Sequence, residues 1–371
     1  MILSKARYIM IGGFLGAGKT TSVAALAQHL SDGGQTVGLI TNDQGRELVD
    51  TAMLRSKGFA TEEIPGGCFC CRFNSLVDAA GKLTEQSRPD VFIAEPVGSC
   101  TDLVATVTYP LRRIYGEDFS IAPLSVLVDP IRASRIFGLS DGGNFSEKVI
   151  YIYRKQLEEA DFIVINKTDL LETDALADLR DKLAKEFPDA KVLQVSVRNN
   201  EGLEDWFGRI TDAEQIARTV MEVNYEIYAE GEALLGWLNA TVQLSSGDGF
   251  EAKAVLEQLA GDIQNQLNEQ SAEIAHLKMT LSPDGGLGGN VAIINLVRND
   301  FVPELSADLA EPVESGQLII NLRAEGDPDT LRAAMETAIS NAPEGLTATL
   351  DHLEHFRPGK PEPTHRVIDL V

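Results

Sequence analysis

The chain has 371 residues, enough for two or three domains and for a core that needs neither disulfide nor structural metal to hold it. Its net charge is −24 with no run of Lys and Arg to offset it, which argues against nucleic acid and anionic membrane as partners. No stretch approaches the roughly 18 uninterrupted apolar residues of a membrane span. Four cysteines, three of them crowded into Cys68–Cys71, form no disulfide framework, so a reducing, cytoplasmic setting is expected.

Short apolar runs alternate with helical patterns through the first half. Strands are predicted at Tyr8–Ile11, Thr36–Thr41, Val91–Ala94, Ser125–Val128, Phe162–Ile165 and Val192–Val195. The first follows Met1 so closely that no signal peptide fits. Amphipathic helices are predicted at Thr20–Leu30, Asn74–Glu85 and Leu176–Phe187. This alternation implies a mostly parallel sheet flanked by helices, with ligands bound beyond the carboxyl ends of its strands. Thr211–Gly231 reads as helix and linker. Beyond it come a strand at Leu234–Leu244, a helix at Ala252–Gln266, and strands at Ile274–Leu281, Val291–Arg298 and Gln317–Arg323. A helix at Asp329–Asn341 and a strand at Thr347–Phe356 complete the pattern. The expected division is a nucleotide-binding α/β domain over 1–215 and a smaller C-terminal α+β domain over 232–371. Gly285–Asn290 reads as a hairpin turn, because no helix follows its glycines. The Pro-rich tail Arg357–Arg366 reads as irregular.

Gly13-Phe-Leu-Gly-Ala-Gly18-Lys19-Thr20 satisfies the GxxxxGK[ST] pattern between a strand and a helix. Such a P-loop turns backbone amides onto phosphate oxygens at a helix N-terminus. Gly13, Gly16, Ala17, Gly18, Lys19, Thr20 and Thr21 are therefore expected to line the phosphates. Lys19 reaches the β- and γ-oxygens and Thr20 ligates Mg2+. Asp90–Gly98 is an apolar strand ending in Glu95, which can hold the same ion, and Gly98 can offer its amide near the γ-phosphate. Asn166-Lys167-Thr168-Asp169 follows another strand. There Asp169 can accept from guanine N1–H and the N2 amino group, which adenine cannot supply. Lys167 can lie along the base, Asn166 can brace the loop, and Ser196 is a candidate contact from the next strand end. GTP or GDP is the expected nucleotide.

Gly66-Gly67-Cys68-Phe69-Cys70-Cys71 lies between the phosphate loop and Glu95. Soft thiolates at this spacing suit Zn2+ or a similar ion, and three of them leave a fourth position open, as a transferable metal requires. Glu62 or Glu63 could add an oxygen. Cys100 could supply a fourth sulfur, but its place after Gly98 makes core packing the expected role. The alternatives for the triplet are buried apolar packing or a redox switch. His352 and His355 should point to opposite faces of a strand and, with His365, lie at the surface.

Taken together and in order, Gly13–Thr20, Asn42-Asp-Gln-Gly45, Gly67-Cys68-Phe-Cys70-Cys71, Glu95–Gly98 and Asn166–Asp169 resemble the CobW family, in the same group as the UreG and HypB accessory GTPases of the SIMIBI class. The resemblance runs to about Ile210. Two departures mark a side branch. Asp43 and Gln44 stand where the family usually has Glu and Phe, and Glu95-Pro-Val-Gly98 is closer to the HypB form than to the usual acid before Ser-Gly. The resemblance implies slow GTP hydrolysis coupled to handling of a divalent transition metal, Zn2+ or Co2+, for a client enzyme. Asp43 becomes the candidate for orienting water or touching the Mg2+ shell, and the C-terminal domain the candidate for recognising the client. A second copy of the chain is a further candidate partner. Gating of cobalamin loading, a redox-controlled GTP-binding switch with little turnover, and a small-molecule kinase are the rival readings; the last is disfavoured by Asn166–Asp169.

Overall fold

The computed structural model describes residues 5–42, 54, 57–216, 218–284 and 290–368, and the chain divides into two units. The first takes the described residues up to 42, then 57–229, and then the tail from 360 onward; the second is built on 230–359.

The first unit opens with β1 (Ala6–Gly13), α1 (Lys19–Asp32), β2 (Val37–Asn42), β3 (Ala60–Ile64), α2 (Phe73–Ser87) and β4 (Val91–Glu95). A π-helical turn at Val104–Thr108 runs into α3 (Tyr109–Tyr115). Then come β5 (Phe119–Ile121), β6 (Ser125–Val128), α4 (Pro130–Ile136), α5 (Glu147–Glu158), β7 (Phe162–Ile165), α6 (Thr173–Glu186), β8 (Lys191–Gln194) and α7 (Leu203–Asp212). The sheet order is β3-β2-β4-β1-β6-β7-β8, with β5 also against β1, and every pairing among these described strands is parallel. β1 is central. Ile9 and Ile11 are wholly buried, as a strand covered on both faces requires. The chain builds outward from β1 first on the β4 side and then on the β6 side. The carboxyl end of β1 is therefore a topological switch point, where such sheets bind ligands.

After α8 (Tyr225–Leu234) the second unit comprises β9 (Leu235–Phe250), α9 (Ala252–Glu269), β10 (Glu273–Pro283), β11 (Ala292–Leu296), β12 (Glu304–Ala307), β13 (Val313–Glu325), α10 (Pro328–Ser340) and β14 (Thr347–Phe356). Its antiparallel sheet has the order β12-β11-β10-β13-β9-β14. Leu238, Ala240, Val242 and Leu244 alternate along β9 onto one face, where they join Leu256, Leu259 and Ile263 of α9 and Leu331 and Met335 of α10. The other face carries polar pairs, such as the Asn321 amide donating to Asn239 Oδ1 at 3.0 Å. β10 and β11 form a hairpin with Leu281 opposite Ala292; Gly285–Gly289, predicted as its turn, lie outside the described residues. His352 and His355 lie three residues apart beyond a register shift in β14, so they point to opposite faces as expected. His355 Nε2 meets Asp329 Oδ1 at 2.9 Å.

No helix among the described residues is long and apolar enough to cross a membrane.

Candidate functional site

The phosphate loop is shaped by its glycines. Gly13, Gly16 and Gly18 all have positive φ, at 130°, 79° and 91°. A Cβ on Gly13 would meet Leu127 O at 2.4 Å, and one on Gly18 would meet Asn166 Nδ2 at 2.5 Å. Backbone freedom and close approach are both needed here, and only glycine supplies them. Gly18 caps α1, whose first turn carries no acid to compete for an anion. Phe14 is clasped edge-on by Phe145 and Tyr153, with centroids 5.4 and 5.6 Å away, which fixes one side of the loop. The Lys19 ammonium is buried and donates to Phe14 O at 3.4 Å, so it stays inside the loop.

The Asn166–Asp169 segment is tied directly to this loop. The Asn166 amide donates to Ala17 O at 3.0 Å, while its Oδ1 accepts from Lys167 N at 2.8 Å. Lys167 has φ 56°, and its ammonium donates to Gly16 O at 2.7 Å and pairs with Asp129 at 3.0 Å. Asp169 Oδ1 accepts from the buried Ser196 hydroxyl at 2.6 Å. Asn166, Lys167, Asp169 and Ser196 are thus brought together beside Gly16–Gly18. Asp129 was not singled out from the sequence. Its signal was an acid directly after the run Ser125–Val128, the same signal that marks Glu95.

At the end of β4 the buried Glu95 accepts the Thr20 hydroxyl at 2.9 Å. A hydroxyl and a carboxylate facing each other are hard oxygen donors of the kind Mg2+ selects, so these residues fit that ion. Gly98 lies against the phosphate loop: a Cβ there would meet Leu15 Cδ2 at 2.8 Å and Leu15 N at 3.0 Å. Asp43, the candidate for water or the Mg2+ shell, lies outside the described residues, as do Gln44 and Gly45. Asn42 is described. Its amide donates to Ile64 O at 2.8 Å and to Gly67 O at 2.6 Å, which ties the end of β2 to the cysteine loop.

Gly66 and Gly67, with φ 75° and 145°, turn the chain so that Cys68, Cys70 and Cys71 converge before α2. Their sulfurs lie 2.6 Å (Cys68 to Cys70), 3.1 Å (Cys68 to Cys71) and 3.6 Å (Cys70 to Cys71) apart. All four cysteines are free thiols. Hydrogen bonds from Cys100 first, then from Cys70 and Cys71, hold Cys68 well below the usual thiol range. The hydrogen bond to Cys68 pushes Cys70 well up and raises Cys71 to about 11. A tetrahedral ion with Zn–S near 2.3 Å needs sulfurs about 3.8 Å apart, so binding one would require Cys68 to move away from its neighbours and the thiols to lose their protons. Two expectations change. Among the described residues the converging ligand atoms are Cys68, Cys70 and Cys71, without Glu62 or Glu63; those two acids lie on β3, and Glu62 pairs with Lys82 at 3.7 Å. Cys100 is buried as expected, yet its thiol points at Cys68.

The tail holds the largest surprise. It has no regular secondary structure, but it runs along the cysteine loop and its neighbours. Glu362 N–H donates to Cys71 Sγ at 3.3 Å, Thr364 N–H donates to Cys70 O at 2.8 Å, and the His365 ring meets Phe73 edge-on at 4.9 Å. A Pro-rich stretch carries no periodicity, so nothing in the sequence announced where it would dock.

The family model described as CobW/HypB/UreG, nucleotide-binding domain, matches residues 7–194. The zinc chaperone YeiR of Escherichia coli strain K12 is 34% identical over 164 residues, covering 43% of this chain and 46% of that protein. The zinc chaperone CobW of a Sinorhizobium species is 30% identical over 213 residues, covering 52% of this chain and 59% of that one. The chain spans about half the length of these relatives. A solved structure of HypB from Helicobacter pylori in complex with nickel overlaps 57% of this chain and 90% of that chain, at 17% identity and a TM-score of 0.41.

Proposed function

The chain belongs to the CobW/HypB/UreG nucleotide-binding family, and on that premise we propose that it hydrolyses GTP slowly and carries a divalent transition metal to a client enzyme. Zinc is the first candidate, because the relatives YeiR and CobW are zinc chaperones. The observation that carries this reading is one residue wide. Thr41 lies in register with Glu95, and the next residue, Asn42, bonds the cysteine loop at Gly67. The acid beside the phosphate loop and the thiols are thereby joined through adjacent strands of one sheet.

In this reading Lys19 leaves Phe14 O for the phosphate oxygens, and the inward amides of the phosphate loop take up the remaining charge. Thr20 and Glu95 hold Mg2+, which when bound neutralises charge developing on the β- and γ-phosphates. Gly98 presents its amide to the γ-phosphate from its seat on Leu15. Asp169, steadied by Ser196, accepts from the guanine edge, and Lys167 covers the base. Asp43 orients the attacking water or touches the Mg2+ shell. The metal is cargo: Cys68, Cys70 and Cys71 bind it as thiolates and surrender it when nucleotide hydrolysis relaxes the segment between β2 and α2. The second unit recognises the client, and the setting is a reducing one such as the cytoplasm. Loading of a corrinoid cofactor instead of a bare ion is the second outcome to separate.

The test is metal analysis and nucleotide titration of reduced protein. One Zn2+ per chain is expected, lost when the three cysteines are replaced by Ser. A preference for GTP over ATP of at least about 10²-fold is expected, abolished by Asp169→Ala. Phosphate release should vanish in Lys19→Ala. Full zinc retention by the triple variant, or equal affinity for GTP and ATP, would overturn the reading.

A further inference from the structure

Beyond Lys360 the chain returns to the first unit and lies against the cysteine site. Its bonds are specific to that site. Glu362 N–H reaches Cys71 Sγ at 3.3 Å, and Thr364 gives its N–H to Cys70 O at 2.8 Å and its hydroxyl to Cys71 O at 3.1 Å. Two of the three cysteines in the cluster are therefore gripped by the tail through their own atoms.

The far end of the tail is fastened at two places prepared for it. Asp102 is 1% exposed and held at φ 63°, an uncommon backbone for a residue with a side chain. Its buried carboxylate accepts from the Tyr225 hydroxyl at 2.6 Å and from Arg366 Nε at 2.7 Å. Val367 N–H donates to Ala105 O at 2.8 Å. Ala105 lies in the π-helical turn, where the returning donor would come from residue 110. That residue is Pro110, which has no N–H, so the carbonyl is left for the tail to satisfy.

We propose that residues 360–368 form a strap that closes the open side of the cysteine site, fastened by Arg366 on Asp102, and that a transition metal exchanges only when the strap lifts. The proposal rests on the metal-carrying reading above. The strap's grip is polar and shallow: Glu362, Thr364 and Arg366 are exposed, and Pro361 is the one buried residue among 360–368. A handful of hydrogen bonds then opposes the entropy of ordering the segment, reduced in advance by Pro361 and Pro363. Near-balance of this kind suits a reversible cover. Asp102 also follows Glu95 and Gly98 on one continuous segment, so a change at the nucleotide end reaches the fastener directly.

The experiment uses full-length chain in four forms: wild type, Arg366→Ala, Arg366→Lys and Thr364→Pro. Thr364→Pro removes the N–H to Cys70 and the hydroxyl to Cys71 without touching a cysteine or the Arg366 ion pair. Two rates are read. One is carbamidomethylation of Cys71 in metal-free protein by iodoacetamide, a neutral reagent whose approach the lost charge does not alter. The other is loss of bound Zn2+ to excess chelator. Both should rise at least about tenfold in Arg366→Ala, which loses its charge-assisted bonds to Asp102 and its bond to Met221 O, and in Thr364→Pro, which loses two neutral hydrogen bonds. Arg366→Lys should restore part of the wild-type rates, and GTP affinity should stay unchanged throughout. Wild-type rates in both disruptive variants, with zinc bound stoichiometrically, would overturn the strap alone. A wild type that binds no zinc would overturn the metal-carrying reading and the strap with it.

Discussion

Gly98 and Glu159 are the two single positions whose chemistry has the sharpest consequences. At Gly98 a Cβ would stand 2.8 Å from Leu15 Cδ2 and 3.0 Å from Leu15 N, the second a backbone atom of the phosphate loop. Gly98→Ala therefore has to push apart the two segments proposed to share the γ-phosphate. GTP affinity should fall by about tenfold or more, the cost of a misfit of a few tenths of an ångström spread over several charge-assisted bonds, while GDP affinity barely changes. Titrating both nucleotides checks this; an equal loss for both would remove Gly98 from the γ-phosphate. Glu159 is a different case. It is fully buried, and burial pushes its carboxyl up to about 8 although Val104 N–H and the Thr101 hydroxyl, bonded at 2.9 and 3.2 Å, pull the other way. The folded chain thus holds a proton at pH 7 that the unfolded chain, titrating near 4.5, has lost. The stability this proton represents is complete below pH 4.5 and disappears as pH rises towards 8, at up to about 1.4 kcal/mol per pH unit. Glu159→Gln should flatten that slope. Urea midpoints for both proteins at pH 5, 6, 7 and 8 measure it, and parallel curves would refute the buried acid.

Helix α4 begins at a residue with two employments. Asp129 caps it by accepting from Arg132 N at 3.0 Å, and its second oxygen holds Lys167 at 3.0 Å. Asp129→Ala removes both and should cost about 1 kcal/mol of stability through the cap alone. Asp129→Asn keeps a capping oxygen and should recover most of the stability. It should not recover guanine-nucleotide affinity, because Lys167 still lacks its counter-charge. Recovery of both by Asn would show that the ion pair does nothing for the nucleotide. Elements of this kind were legible where the physics is local. β1, β4, β6 and β7 are continuous apolar runs because they are buried on both faces, and each ends in a polar motif because the carboxyl edge is where ligand-facing loops emerge. β3 was missed because Ala60-Thr-Glu-Glu-Ile64 is a short edge strand in which only Thr61 and Ile64 are buried and two acids stand between them, so no apolar run exists to read. β5 has three residues, too few for any period. The π-helical turn and the tail were hidden for a further reason. The tail is Pro-rich and without periodicity, and nothing local to Pro110 reveals that the Ala105 carbonyl it leaves free is satisfied by Val367 N–H. Cys100 was read as core from its place after Gly98, with a fourth sulfur as the alternative; it is buried, and its thiol bonds Cys68.

Across the molecule, the motifs of the first unit share one edge of one sheet, and on the proposed reading this would couple nucleotide binding to metal binding. The route is short and made of named contacts. Thr20 donates to Glu95, Glu95 lies in register with Thr41, Asn42 holds Gly67, and Gly67 precedes Cys68. A second route runs from Gly98 to Asp102, Arg366 and the tail over Cys70 and Cys71. If GTP with Mg2+ tightens zinc binding by some factor, zinc must tighten GTP binding by the same factor, and about 5–150-fold, or 1–3 kcal/mol, is the ordinary range. Zinc affinity should therefore differ between GTP-Mg2+, GDP-Mg2+ and nucleotide-free protein. It should also rise with pH through the thiol range, because binding displaces the protons on Cys70 and Cys71. Replacing Cys68, Cys70 and Cys71 by Ser should remove metal and coupling together and leave basal GTP affinity nearly unchanged. Asn42→Ala is the more discriminating variant. It leaves every thiol and every phosphate-loop residue in place and cuts the bond to Gly67, so both affinities should survive while the factor between the nucleotide states shrinks towards one. A coupling that persists undiminished in Asn42→Ala would move the route to the Asp102 side, where Arg366→Ala becomes the variant to measure. Identical zinc affinities in all three nucleotide states of the wild type would show that hydrolysis does not drive release, and the carrier cycle would have to be abandoned.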